Sequence, residues 1–184
     1  MQILFETERL IGGTWDPERH AEAALEIYGD PEVTRTIGGE TVPDVATLVA
    51  RMRKALPIYE EWGEPYAWVP LFRRPVSGTE HGALVGAGLL KPLPDANREP
   101  TDAIEVGWHL ARAHWGHGYA TEAGRALIHR GFAHLDVDVL HAVVDPGNHR
   151  SCAVAERCGM RHVGQTSRWY GKTLEHFEIR RPRG

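Results

Sequence analysis

An α/β sandwich built around one mixed sheet is the architecture this sequence predicts, and three observations carry the prediction. Extended and helical patterns alternate along the chain, with no internal repeat and no low-complexity segment, as expected when strands and helices share one core. An extended apolar run at 103–110 gives way, through two glycines, to a helical pattern over 121–134. At 184 residues the chain is long enough to bury a real core as one domain without metals or disulfides.

The elements follow in order. Residues 10–15 alternate weakly and read as a first strand. A helix over 17–28 has Asp16 as N-cap and Pro17 at its first position. Asp30-Pro31-Glu32-Val33 reads as a turn, and Gly38-Gly39 marks another. A second helix begins at Asp44, with Val45, Leu48, Val49, Met52 and Leu56 at helical spacing. Residues 66–72 and 83–90 read as strands joined by a loop over 73–82. Residues 91–102 hold three prolines and few apolar side chains and read as a surface loop. The strand at 103–110, the glycine turn and the helix at 121–134 come next. A strand at 139–144 then leads to a short helix over 149–158, stopped by Gly159. Strands at 162–168 and 174–180 flank a Tyr170-Gly171 turn.

Composition excludes several classes of function. A 42% hydrophobic and 25% charged share is that of an ordinary globular protein. No apolar run approaches the roughly 18 residues a membrane helix needs, and no basic start followed by an apolar segment marks a signal peptide. A cytoplasmic location with no membrane partner is expected. The net charge of −4 argues against nucleic acid and suits a cationic amine. Cys152 and Cys158 fit no zinc spacing and read as free thiols. Of the 11 histidines, His114 and His117 flank the glycine turn and His129 and His134 stand five apart. Neither pair has carboxylate or Cys partners in sequence, so no metal is expected.

The chemistry concentrates in Trp115-Gly116-His117-Gly118-Tyr119-Ala120-Thr121-Glu122. A strand feeding a glycine turn and a helix start presents bare N–H groups at the positive end of a helix dipole, an arrangement that binds phosphate. A mononucleotide P-loop is excluded because no Lys follows the glycines. A dinucleotide fingerprint fails because Thr121 stands where Gly or Ala is needed. What remains, from Trp115 to Ala120, resembles the pyrophosphate loop of the GNAT acetyltransferases, Gln/Arg-x-x-Gly-x-Gly/Ala, with Trp115 in place of Gln/Arg. The run Trp-Gly-x-Gly-Tyr-Ala-Thr-Glu-Ala resembles the RimJ/RimL-like branch. Asn148-His149-Arg150-Ser151 through Glu156-Arg157-Cys158-Gly159-Met160 resembles the family's second signature. The Asp30–Val33 segment and Trp169-Tyr170-Gly171-Lys172 resemble turns of the same branch.

That resemblance implies a single N-acetyltransferase domain over 1–184, with a mixed, mostly antiparallel central sheet and helices on both faces. Its cosubstrate would be acetyl-CoA, without metal, and its acceptor an amine: a protein N-terminus, a lysine, an aminoglycoside or a polyamine. Backbone N–H groups of Gly116, His117, Gly118, Tyr119, Ala120 and Thr121 would meet the diphosphate, beside Trp115. A side chain at 116 or 118 would block close approach. The strand end at His109, Leu110 and Ala111, with Asn148 and Ser151, would meet the pantetheine arm. Glu105 is the candidate general base. The tyrosine that many members use as general acid is Ala155 here, which leaves Ser151, Tyr170 or water. Trp62, Tyr66 and Trp68, with Glu60, Glu61 and Glu64, would form an aromatic and acidic acceptor lip. A homodimer stays open. The alternative is a coenzyme A-binding sensor or interaction module without effective turnover.

Overall fold

Short polar side chains set the helix starts. In the structure, a computed structural model that describes residues 1–75 and 82–182, the Asp16 side chain accepts from the Arg19 N–H and Pro17 opens helix α1 (Pro17–Tyr28). Asp30 caps a four-residue helix, α2 (Pro31–Thr34), where the sequence reads as a turn. Asp44 caps α3 (Val45–Trp62), accepting from the Thr47 N–H at 2.7 Å. Two further helices are α4 (Tyr119–His134) and α5 (His149–Arg157), the latter capped by Asn148.

Eight strands form one sheet: β1 (Ile3–Glu6), β2 (Leu10–Gly13), β3 (Ala67–Arg73), β4 (Leu84–Pro94), β5 (Pro100–Leu110), β6 (Val139–Val144), β7 (Arg161–Thr166) and β8 (Leu174–Arg180). Their order is β1-β2-β3-β4-β5-β6-β8-β7. Every neighbouring pair is antiparallel except β5 and β6. The four-residue β1 escapes the sequence pattern because it is a short edge strand. Most of the loop expected over 73–82 falls on 76–81, outside the described residues.

The surface loop expected over 91–102 is corrected by the structure. β4 continues to Pro94 and β5 begins at Pro100, pairing Lys91 with Glu105 and Pro92 with Ile104. Only a tight turn remains, tied by Asp95 Oδ1 accepting from the N–H groups of Asn97 at 2.7 Å and Glu99 at 2.9 Å. The prolines sit where the ladder is already irregular, so their missing N–H groups break no regular pairing.

Two buried clusters lie on opposite faces of the sheet. One joins Ala123, Leu127 and Ile128 of α4 and Val154 and Ala155 of α5 to β-strand residues such as Val106, Leu140 and Phe177. The other joins Ala21, Ala24 and Ile27 of α1 and Leu48 and Met52 of α3 to Phe72, Leu84 and Ala87. Close packing of α4 depends on Gly124, where an added Cβ would stand 2.7 Å from Cys158 Sγ and 3.3 Å from the Trp108 ring.

The one parallel junction positions the site. β5, the glycine turn, α4 and β6 form a strand–helix–strand crossover, yet β5 and β6 register only at Glu105 and His141. Beyond that point the strands part, and residues 106–110 and 142–144 line a shared cleft.

Candidate active site

The glycine turn is shaped by backbone conformation. Gly116 and Gly118 have φ of 81° and 80°, a region L side chains rarely adopt. A Cβ at 116 would meet nothing within 4 Å, and at 118 only Arg9 Nη2 at 3.4 Å. Positive φ therefore selects glycine here, with no steric block from within the chain. Gly118 is the N-cap of α4 and offers no capping side chain. Among the described residues, no backbone N–H from Gly116 through Thr121 has a protein acceptor. Six consecutive donors thus stand at the start of a 16-residue helix, a ready anion site.

Arg9, between β1 and β2, braces that turn. Its Nη1 donates to the His117 carbonyl at 2.9 Å, its Nε to Glu122 Oε2 at 2.7 Å and its N–H to Glu122 Oε1 at 2.8 Å. The guanidinium lies 4.9 Å from the centre of the Tyr119 ring. Thr7 Oγ1 adds a 2.5 Å hydrogen bond to Glu122 Oε1. Partial burial opposes ionisation of Glu122, but the bonds from Thr7 and Arg9 prevail and hold its carboxyl below the ordinary range. Arg150, 4.8 Å over the Trp115 ring, and Arg157, bonded to Thr121 Oγ1 at 3.3 Å, add positive charge to the cleft lining.

The cleft has a volume of about 1550 Å³ and is lined by Glu105, His109, Leu110, Trp115, Gly116, Gly118, Tyr119, Ala120, Thr121, Asn148 and Ser151. Ala111 and His117 do not line it. The Ala111 N–H donates to Val85 O at 3.1 Å and its carbonyl accepts from His114, while the His117 carbonyl serves Arg9. Trp115 Nε1 donates to Leu110 O at 2.9 Å, tying the glycine turn to the end of β5. Asn148 Oδ1 accepts from the Ser151 N–H at 3.2 Å, so its amide nitrogen is the group left to face a ligand. Ser151 Oγ accepts from Trp108 Nε1 at 3.2 Å, and its own proton remains uncommitted. Ala155 is fully buried in the core, not on the cleft wall.

Glu105 is 7% exposed and forms a compact cluster with Lys91 and Tyr170. Tyr170 Oη donates to Glu105 Oε2 at 2.5 Å, and Lys91 Nζ lies 3.0 Å from the same oxygen and 2.7 Å from Tyr170 Oη. Oε1 receives no hydrogen bond among the described residues. Burial, reinforced by the Glu105 charge, pushes the Tyr170 phenol far up, so it stays protonated. Tyr59 is raised by the same two causes. Burial lowers His109 to about 4 against the opposing pull of Glu105, so the ring is neutral at physiological pH. Its Nδ1 lies 3.4 Å from Tyr28 Oη, which accepts from Trp68 Nε1 at 2.8 Å.

The expected acceptor lip is only partly present. Trp68 lines the cleft, but Trp62, Tyr66, Glu60, Glu61 and Glu64 do not. Trp62 packs between Tyr59 and Tyr66, at 5.2 and 6.2 Å between ring centres, and Glu64 faces Arg130 at 3.7 Å. Tyr28 and Tyr59 take their places on the wall. The helical period of α3 marks Tyr59 only as a helix residue. Lys91 carries no local signal, because only the β4–β5 pairing sets it beside Glu105.

Comparisons with known proteins bear on the family and the fold. Residues 9–161 match the family model described as the acetyltransferase (GNAT) domain. YkkB of Bacillus subtilis, an uncharacterized protein, is 41% identical over 80 residues, 44% of this chain and 46% of YkkB. The FsC-acetyl coenzyme A-N(2)-transacetylase of Aspergillus fumigatus is 25% identical over 153 residues, 78% of this chain and 59% of that enzyme. The matches thus span less than two thirds of either relative. Among solved structures, the ribosomal L7/L12 alpha-N-protein acetyltransferase RimL, in complex with coenzyme A, superposes with a TM-score of 0.74 at 14% identity. The superposition covers 97% of this chain and 98% of RimL, and at that identity it shows a shared fold.

Proposed function

The chain belongs to the GNAT acetyltransferase family, and on that premise we propose that it transfers the acetyl group of acetyl-CoA directly to a primary amine within a ternary complex. The observation that carries this reading is the run of six unpaired N–H groups at Gly116–Thr121, of which all but that of His117 belong to residues lining the cleft that also holds Glu105. The diphosphate sits on those donors, with Arg150 and Arg157 on the rim. The pantetheine arm follows the gap between β5 and β6, past His109, Leu110 and the Asn148 amide.

Glu105 is the base. Lys91 and Tyr170 both engage Oε2, which orients the carboxylate and leaves Oε1 to take a proton from the ammonium, directly or through one water. The neutral amine then attacks the thioester carbon, the C–N bond forms and the C–S bond breaks, and the second proton leaving the nitrogen replaces the one that Ser151 gives up. Ser151 has a proton to give the departing thiolate, whereas Tyr170 commits its own to Glu105. Tyr28, Tyr59 and Trp68 supply flat apolar walls for the carbon skeleton of the amine. We read residues 1–184 as one RimJ/RimL-like domain, with a protein N-terminus or a small-molecule amine as acceptor. Among the described residues no helix is long and apolar enough to cross a membrane.

Titrating the protein with acetyl-CoA by calorimetry, then adding a panel of amines and following free-thiol release, tests the reading. Micromolar binding with amine-dependent release is expected. Binding without release from any amine of the panel would favour a sensor, and no binding would overturn the proposal.

A further inference from the structure

On the sheet face shared with Glu105, one and two strands farther along, His141, His176 and Glu178 bring their ligand atoms within 4.8 Å of one another. His141 on β6 is the direct cross-strand partner of Glu178 on β8, and His176 lies two residues from Glu178 on the same face. His141 Nδ1 and His176 Nε2 share a hydrogen bond of 3.0 Å, which an ion between them would replace. Glu178 Oε1 lies 3.9 Å from the first nitrogen and 3.7 Å from the second. The carboxylate is therefore too far from either ring for a hydrogen bond. No described residue donates one to it, although its side chain is only 17% exposed; Arg161 Nη2 stands 3.8 Å from Oε2. Partly buried carboxylates ordinarily have donors. Those three separations define a point about 2.1 Å from all three atoms, the bond length of a divalent zinc-like ion to imidazole nitrogen and carboxylate oxygen.

We propose that His141, His176 and Glu178 form a binding site for one divalent transition-metal ion of the zinc class, with solvent completing its coordination. The donor set, two imidazoles and one carboxylate, suits zinc over magnesium or calcium, which prefer all-oxygen shells. The three residues do not line the cleft. Trp169 is buried against the site, its ring 5.4 Å from His141 and 4.9 Å from His176. The next residue, Tyr170, bonds to Glu105. An ion here would hold both imidazoles against Trp169 and so steady the turn that carries Tyr170. This role is structural: the ion lies outside the cleft and touches neither acetyl-CoA nor the amine. The expectation of no metal rests on His114, His117, His129 and His134, none of which belongs to this cluster.

The test is calorimetric titration of chelator-treated, full-length protein with Zn2+, together with thermal melts and the visible absorption of the Co2+ form. One equivalent of Zn2+ should bind, raise Tm by several degrees and give cobalt bands of a low-coordinate nitrogen and oxygen site, with no response to Mg2+. Glu178→Gln, close in shape and outside the cleft, should weaken binding at least about tenfold, and His141→Gln should do the same. His114→Gln with His117→Gln should leave the site intact. Absence of a one-equivalent site, or a site unaffected by both Glu178→Gln and His141→Gln, would overturn the proposal.

Discussion

Glu105 shows how much of a side chain's chemistry is set by the residues packed around it. A glutamate facing water on a strand is an indifferent base. Here Lys91 and Tyr170 hold Oε2, and Oε1, without a donor among the described residues, is the oxygen that the proposed mechanism uses as base. Replacing Glu105 with Gln keeps the shape and removes the proton acceptor, so turnover should fall about 10²- to 10⁴-fold. The acetyl-CoA dissociation constant should move little, because the proposed diphosphate donors lie elsewhere; equal rates across a pH series would make Glu105 structural. Ser151→Ala should lower the rate while leaving acetyl-CoA affinity almost unchanged, because the Asn148 cap uses the Ser151 N–H and not its hydroxyl. Tyr170→Phe removes one of the two groups on Glu105 Oε2 and leaves Lys91 and the carboxylate in place, so its defect should be smaller than that of Glu105→Gln. If Tyr170→Phe abolished thiolate release while Ser151→Ala did not, the acid role would pass to Tyr170.

Between the residue and the fold, α4 is the element on which the proposed anion site depends, and its first turn is held from outside by the Arg9–Glu122 brace. Glu122→Gln replaces a charged acceptor of three hydrogen bonds with a neutral one and should cost about 2 kcal/mol, read as a lower midpoint in denaturant. Because the folded carboxyl titrates below its ordinary value of 4.5, its contribution is complete above that pH. It is lost as pH falls through the folded value, so wild type and Glu122→Gln should converge in stability in that acid range. The helix itself was legible in the sequence, since an apolar strand, two glycines and a periodic run are local signals. So were α1, β6 and β8, with bounds at 17–28, 139–144 and 174–180. The brace was not, because Arg9 and Glu122 lie 113 residues apart and meet only through the fold. The β4–β5 hairpin was hidden by its prolines. The His141, His176 and Glu178 cluster depends on the register of β6 with β8, which no local pattern reports.

At the scale of the whole molecule, the cleft is a fault line in an otherwise continuous sheet. β5 and β6 meet at one register pair and then diverge, so the β1–β5 and β6–β8 portions are joined across the cleft by little direct strand pairing. A ligand whose diphosphate sits on α4 and whose arm lies between the two strands would touch both portions. It would stabilise the folded chain by mass action. At acetyl-CoA one hundred times its dissociation constant, that stabilisation is about 2.7 kcal/mol, which for a chain of this size raises Tm by about 5–10 °C. Gly118→Asp should abolish the shift. The aspartate would have to adopt a φ of 80° and would place its charge where the diphosphate must sit. Thermal melts of wild type and Gly118→Asp with and without acetyl-CoA measure this directly. A shift retained in Gly118→Asp would move the anion site away from the glycine turn. A wild-type shift lost in Gly118→Asp, together with amine-dependent thiol release by wild type, joins binding to turnover. The same shift without release would describe a fold that holds its ligand across the cleft and does not spend the thioester.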